Sequence, residues 1–107
     1  MQEAAENTMK KQEENLDDLV QAIGAIVEKR KRLARQVEPQ YTYEVKSIID
    51  FQIRDENRIQ RLLDFMLEFC FDDRILTLYR QLCRYYFELN PRATASYIDA
   101  YREMWDE

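Results

Sequence analysis

The stretch LDDLVQAIGAIVEKRKRLARQV, residues 16–37, repeats apolar residues at helical spacing. The repeat consists of Leu16, Val20, Ile23, Val27, Ala34 and Val37. Alternating steps of four and three residues give the 3.5-residue period of a coiled-coil seam. Leu19, Ile26 and Leu33 widen the apolar face. The pattern predicts a long first helix over about residues 4–37.

Three local features modify this first helix. Arg30 occupies the seam position between Val27 and Ala34, so a cation lies in an otherwise apolar line. We expect the helix to end at Glu38 and Pro39, because a residue before proline is pushed out of the helical region. Upstream of Leu16 only two apolar residues continue the pattern. We therefore expect residues 1–15 to be frayed or to depend on a partner for their order.

The composition favours a helical protein. The chain has 107 residues, one glycine and two prolines, with 46% apolar and 35% charged residues. This length suits one domain, and so few turn-forming residues suit a few long helices better than a sheet. The sequence predicts one all-α domain over residues 1–107, folded as an antiparallel bundle of about four helices with a long, coiled-coil-like N-terminal helix.

The other helices are predicted over about residues 42–71, 73–89 and 91–105. Asp72 or Asp73 suits the N-cap of the third helix, and Asn90 followed by Pro91 suits the start of the fourth. Residues 41–53 also alternate with a period of two, which is typical of a strand. An intersubunit strand, paired with a second copy, is therefore an alternative for this segment.

Five consecutive polar residues interrupt the predicted second helix within IRDENRI, residues 53–59. If a hairpin turn at residues 38–41 joins the first two helices, Arg30 faces Gln52 and lies near Asp55 and Glu56. We interpret these four residues as a structural polar layer that sets the register of the two helices. A solvated turn is the alternative. A catalytic or metal-binding pair fits less well, because consecutive helical residues diverge by about 100°.

The residue inventory excludes most catalytic chemistry. The chain has no histidine, which removes Ser-His-Asp and Cys-His catalysis, and its single glycine removes phosphate-binding loops. We expect no enzyme activity, metal, cofactor or small-molecule substrate. Cys70 and Cys83 fall on predicted apolar faces and are expected to be buried free thiols. No apolar run or leader pattern indicates a membrane or export, so the cytoplasm is the expected location.

The charges are unevenly distributed. Residues 1–28 carry seven acids and two bases, residues 29–35 carry five bases and no acid, and residues 38–107 carry fourteen acids and nine bases. Nucleic-acid binding through arginine and lysine faces is therefore an alternative function, in which tyrosines stack on bases. Its candidate residues are Lys29, Arg30, Lys31, Arg32, Arg35, Arg54, Arg58, Arg61, Arg80 and Arg84.

Protein–protein association is the favoured function. The first helix offers more apolar residues than one neighbouring helix needs, which favours self-association or capture of a partner helix in a groove. Near the C-terminus, an apolar pair resembles an exposed interface anchor. The candidate partner-binding residues are Leu16, Leu19, Val20, Ile23, Ile26, Met104 and Trp105. The sequence thus predicts an adaptor, chaperone or regulator that acts without catalysis.

Overall fold

A computed structural model describes the backbone of residues 2–106 and the side chains of residues 15–106. The chain forms four helices: α1 (Gln2–Asp50), α2 (Glu56–Leu67), α3 (Asp73–Leu89) and α4 (Pro91–Trp105). The described residues contain no strand. The predicted all-α bundle is confirmed, and the alternative of a strand over residues 41–53 is wrong.

The chain divides into two units, Met1–Arg32 and Leu33–Glu107. Within unit 1, the described residues belong to α1, and every side chain from Asn15 to Arg32 is exposed. Unit 2 holds the rest of α1 and the three shorter helices. Residues 1–15 were predicted to be frayed. Apart from Asn15, their side chains lie outside the described residues, so the fraying stays a prediction.

The hydrophobic core lies in unit 2, where α3 packs against both α2 and α4. Tyr86 is the largest fully buried side chain. The buried apolar residues are Ala34, Val45, Ile48, Ile59, Leu62, Leu63, Met66, Cys70, Ile75, Leu78, Tyr79, Leu82, Cys83 and Tyr86. Along α2 and α3 their spacing of three and four residues places one face of each helix inward.

The predicted end of the first helix at Glu38 and Pro39 is wrong, since α1 continues through Pro39 to Asp50. The apolar repeat explains the error: Ala34, Val45 and Ile48 are buried, and they keep helical register across the proline. Val37 and Tyr41 lie between them and pack partly against the same core. Packing of this face outweighs the local preference of proline, and the predicted second helix over residues 42–71 is therefore two separate elements.

The reversal of the chain lies instead at residues 51–55, within the stretch that interrupted the predicted helix. Gln52 has φ 51°, in the left-handed region. The amide of Ile53 donates to the carbonyl of Ile48 at 2.9 Å, and that of Gln52 donates to the carbonyl of Ile49 at 3.2 Å. These two bonds form the Schellman motif that ends many helices. Buried Ile48 and half-buried Ile53 supply its usual apolar pair.

Each of the next three helices begins at a capping side chain. Asp55 accepts from the amide of Arg58 at the start of α2. Asp72 accepts from the amides at positions 74 and 75 at the start of α3. Asn90 accepts from the amide of Ala93 at the start of α4, where proline takes the first helical position. The predicted starts of α3 and α4 are confirmed.

Replacing Gln52 with glycine tests the left-handed position. Glycine adopts positive φ without a steric cost, whereas other residues lose about 1 kcal/mol there. We expect Gln52→Gly to raise the free energy of unfolding by about 0.5–1 kcal/mol in urea denaturation.

The matched control is Gln81→Gly, because Gln81 is exposed in the interior of α3. There glycine should lower the free energy of unfolding by about 0.5–1 kcal/mol. A loss of stability in both variants would contradict the proposed end of α1 at Gln52.

Candidate partner-binding surface

Unit 1 carries a line of exposed apolar side chains among the residues that the structure describes. We name it the apolar stripe, and it comprises Leu16, Leu19, Val20, Ile23, Ile26 and Val27. These side chains are between 43% and 65% exposed. Five of them were predicted as partner-binding residues. Val27, which the prediction of the site omitted, belongs with them because it follows Ile23 by one helical turn.

The apolar stripe occupies one side of the helix. At 100° per residue its six members cover an arc of about 120°. Gln21 and Glu28 lie outside this arc and are also exposed. The geometry is that of an amphipathic helix whose apolar face has no covering layer within unit 1.

A glycine in the same segment adds a second observation. Gly24 lies in the interior of α1, and a Cβ atom placed there would have no neighbour within 4 Å. No close packing within the chain therefore requires glycine. An interior glycine weakens a helix by roughly 0.5–1 kcal/mol relative to alanine, so Gly24 lowers the intrinsic helical stability of unit 1.

Charged residues surround the apolar stripe with opposite signs at its two ends. Asp17 and Asp18 are exposed beside its first turn. Beyond its last turn comes a basic band, which we define as Lys29, Arg30, Lys31, Arg32 and Arg35; all five residues are exposed. Lys31 forms an exposed ion pair with Glu28 at 3.7 Å. The charge therefore changes from negative to positive along the helix.

The predicted polar layer rested on a hairpin turn at residues 38–41, and α1 is helical there. In the structure, Gln52, Asp55 and Glu56 have separate structural roles within unit 2. Gln52 ends α1 and Asp55 caps α2. Glu56 accepts hydrogen bonds from Tyr86 Oη at 2.6 Å and from Asn90 Nδ2 at 2.8 Å. Its role is to join α2 to the end of α3.

The group at Glu56 forms a small polar cluster. Gln60 Nε2 donates to Tyr86 Oη at 2.7 Å, so the phenol both donates and accepts. The hydrogen bonds from Tyr86 and Asn90 lower the pKa of the Glu56 carboxyl. Burial, together with the neighbouring Glu56, raises the pKa of Tyr86. The carboxylate therefore stays charged and the phenol protonated near neutral pH.

Because folding lowers the pKa of Glu56, the free energy of unfolding depends on pH in the acidic range. A carboxyl group whose pKa is depressed by folding contributes stability above its ordinary value of 4.5, and this contribution is lost as the pH falls through the folded value. We expect wild-type protein to lose more free energy of unfolding than Glu56→Gln between about pH 5 and pH 3. Denaturant titrations at several pH values measure the difference.

Glu88→Gln is the matched control, because Glu88 is an exposed carboxylate on α3. This variant should keep the acid dependence of the wild type. Equal acid dependence in wild type and Glu56→Gln would show that the bonds from Tyr86 and Asn90 do not favour the charged carboxylate.

The predicted C-terminal anchor is divided between two environments. Met104 is exposed, but Trp105 is only half-exposed and is held by unit 2. Its indole Nε1 donates to the carbonyl of Leu67, the last residue of α2, at 2.8 Å. Its ring lies edge-on to Phe71, with centroids 5.9 Å apart. Trp105 thus donates to a carbonyl in the last turn of α2, which also accepts from the amide of Cys70 at 3.4 Å, and it packs against the core.

The candidate nucleic-acid residues are all exposed. Several tyrosines predicted to stack on bases are instead engaged within unit 2. Tyr79 donates to the carbonyl of Tyr97, and Tyr85 donates to the carbonyl of Ile53, both at 2.7 Å. Tyr86 is fully buried. These rings hold the helices together, and nucleic-acid binding stays a prediction that rests on the cations alone.

A groove with a basic border lies between α3 and α4 in unit 2. It encloses about 510 Å³. Arg80, Arg84 and Arg102 border it, and the exposed apolar side chains of Phe87 and Ile98 contribute to its wall. The sequence predicted that Arg80 and Arg84 share one outer face of α3. It did not predict that Arg102 of α4 lies beside them at the same groove.

The two cysteines are free and buried, as predicted. Cys70 lies in the turn after α2, not on the predicted helix, and its thiol donates to the carbonyl of Met66. Burial raises the pKa of Cys70 to about 12 and that of Cys83 to about 11. Both thiols are therefore protonated and unreactive near neutral pH.

Within the described residues, no cluster of cysteine and carboxylate side chains would hold a metal ion. In the same part of the chain, no helix has a stretch both long and apolar enough to cross a membrane.

Comparisons with protein-family models, with curated proteins and with solved structures found no match to this chain.

Proposed function

We propose that this chain is a non-catalytic protein–protein interaction module that binds a helix through the apolar stripe of unit 1. The observation that carries this proposal is the exposure of all six stripe side chains, from 43% to 65%. Side chains of this kind each contribute about 1.5–3 kcal/mol when they pass from full exposure to burial. A helix that lies along the stripe would gain much of this free energy.

The periodicity of the stripe supports a helical partner. Its residues follow steps of three and four, which match the knobs-into-holes packing of helices in coiled coils and helix grooves. A contiguous apolar line of this kind is uncommon on proteins that act alone. The roles that fit are an adaptor, a chaperone or a regulator. The free thiols Cys70 and Cys83 support a cytoplasmic location.

Nucleic-acid binding receives less support. The ten candidate cations are exposed, and one of them, Lys31, is paired with the carboxylate of Glu28. The net charge of the chain is −5. A phosphate backbone is repelled by such a charge outside the basic band, so the apolar stripe is the better-supported surface.

Replacing Ile23 with glutamate tests the interaction module. Ile23 lies in the middle of the stripe and is 52% exposed, so its replacement leaves the core of unit 2 intact. We expect Ile23→Glu to weaken association, with a second copy or with a partner from the native host, by about 10-fold or more, because it buries an unpaired charge. Sedimentation and affinity capture measure the two kinds of association.

Gln21→Glu is the matched control, because Gln21 is exposed in the same helix but outside the stripe. This variant adds the same charge and should leave association within about 2-fold of wild type. Equal losses in the two variants would contradict binding through the stripe. So would a wild-type chain that neither self-associates nor captures a partner.

A further inference from the structure

The apolar stripe is complementary to a reversed copy of itself. Leu16 and Ile23 share one heptad position, and Leu19 and Ile26 share the other. When two copies run in opposite directions, the two positions face each other. Leu16 then packs opposite Ile26 and Leu19 opposite Ile23, and the two-fold axis passes at the height of residue 21, whose side chain lies on the outer face of each helix. These four residues fill apolar layers, and Val20 and Val27 lie at the heights of Ala22 and Asn15 of the other copy.

The charges of unit 1 distinguish the two possible directions. In a parallel pair, the basic band of each copy lies beside that of the other, and Arg30 faces Arg30 at a seam position. Like charges in such contact destabilise a pair. In the antiparallel register the two Arg30 residues lie about 27 Å apart along the axis, at 1.5 Å per residue. The repulsion between bands is then screened.

The antiparallel register also adds attraction. It brings Asp17 of one copy to the height of residue 25 in the other, about 6 Å along the axis from Lys29. With about 8–10 Å between the two helix axes, these positions are separated by about 10–12 Å from axis to axis, which is comparable to the screening length of about 10 Å at 0.1 M salt. The acidic start of each stripe therefore lies near the basic band of the other copy, and the same pair of contacts occurs twice, as two-fold symmetry requires.

We propose that the helix which covers the apolar stripe is the stripe of a second copy of this chain, antiparallel and centred on Gln21. This inference rests on the proposed function and names the partner for the same surface. The homodimer forms through unit 1, since the stripe lies wholly within residues 16–27.

Distances between spin labels test the direction in the full chain. In Arg32→Cys, the labels of two antiparallel copies are offset by about 33 Å along the axis, whereas those of a parallel pair are at the same height. Arg32 is exposed and lies outside the stripe. We expect a label separation of about 40 Å for the antiparallel pair, and about 25 Å would indicate the parallel one.

Two controls accompany this measurement. Gln21→Cys places the labels at the same height in either direction, so a short distance there shows that the pair has formed. The unmodified chain should take up almost no label, because Cys70 and Cys83 are buried. If the unmodified chain takes up substantial label, the distance measurement is repeated in a chain in which both buried cysteines are replaced by alanine.

Salt provides an independent test without substitutions. Sodium chloride screens attraction in the antiparallel pair and repulsion in the parallel pair. Sedimentation equilibrium at about 0.05 M and 0.5 M salt should therefore show weaker dimerisation at the higher concentration. Stronger dimerisation at high salt would overturn the antiparallel direction.

The outcomes separate this inference from the broader function. A chain that stays monomeric but captures a host protein through Ile23 overturns the homodimer and leaves the interaction module intact. A dimer with short distances at Arg32 overturns the direction alone. A dimer that Ile23→Glu does not weaken overturns the homodimer through the stripe and also counts against the proposed function.

Discussion

The continuity of α1 across Pro39 is the constraint on which the rest of the fold depends. An interior proline costs a helix about 3 kcal/mol, because it removes a hydrogen bond and crowds the preceding turn. Burial of Val45 and Ile48 contributes about 1.5–3 kcal/mol for each side chain, and Ala34 adds contact on the other side of the proline. Packing on both sides therefore outweighs the cost, and the chain does not reverse where a local rule would place the turn.

The position of the reversal then determines what the polar stretch does. Because α1 ends at Asp50, residues 51–55 must provide a helix end and a helix start within five positions. Gln52 adopts the left-handed conformation and Asp55 caps α2. Glu56, one position later, faces the end of α3 and binds Tyr86 and Asn90. Gln52, Asp55 and Glu56, which the sequence suggested belong to one polar layer, thus have three separate local roles.

Asn90 shows how closely those tasks are coupled. Its side-chain oxygen caps α4, its side-chain amide reaches Glu56 on α2, and its own backbone amide donates to Tyr86 of α3. One residue therefore connects the three shorter helices. In the described part of the chain, no buried side-chain nitrogen or oxygen lacks a hydrogen-bond partner, which explains how a core rich in tyrosine avoids the cost of unpaired hydroxyls.

The sequence predicted those parts of the fold that depend on neighbouring residues. The starts of α3 and α4 follow from Asp72 and from Asn90 with Pro91, because a cap acts on amides two or three positions away. The turn at Gln52 was not predictable in this way, since a glutamine carries no preference for positive φ. The repeat formed by Ala34, Val37, Tyr41, Val45 and Ile48 did contain the necessary information, because its helical spacing continues through Pro39.

The same distinction applies to the candidate site. The apolar stripe was predictable because its residues exceed what one neighbouring helix needs, and exposure follows from that surplus. The role of Trp105 was not, because it depends on Leu67 and Phe71, which precede it by more than thirty positions. Nearness to the C-terminus suggested an exposed anchor, whereas tertiary contacts give the indole a hydrogen bond and an aromatic neighbour.

In the proposed association, the stability of the unit 1 helix and the binding of a partner would be physically linked. Isolated helices are marginal in water, and most helical stability in proteins comes from packing of an apolar face. Residues 15–32 have no such packing, and Gly24 lowers their intrinsic stability further. A partner on the apolar stripe therefore stabilises the helix as well as the complex. Because the stripe spans only about 17 Å, the proposed contact is short, and we expect the association to respond to protein concentration and salt.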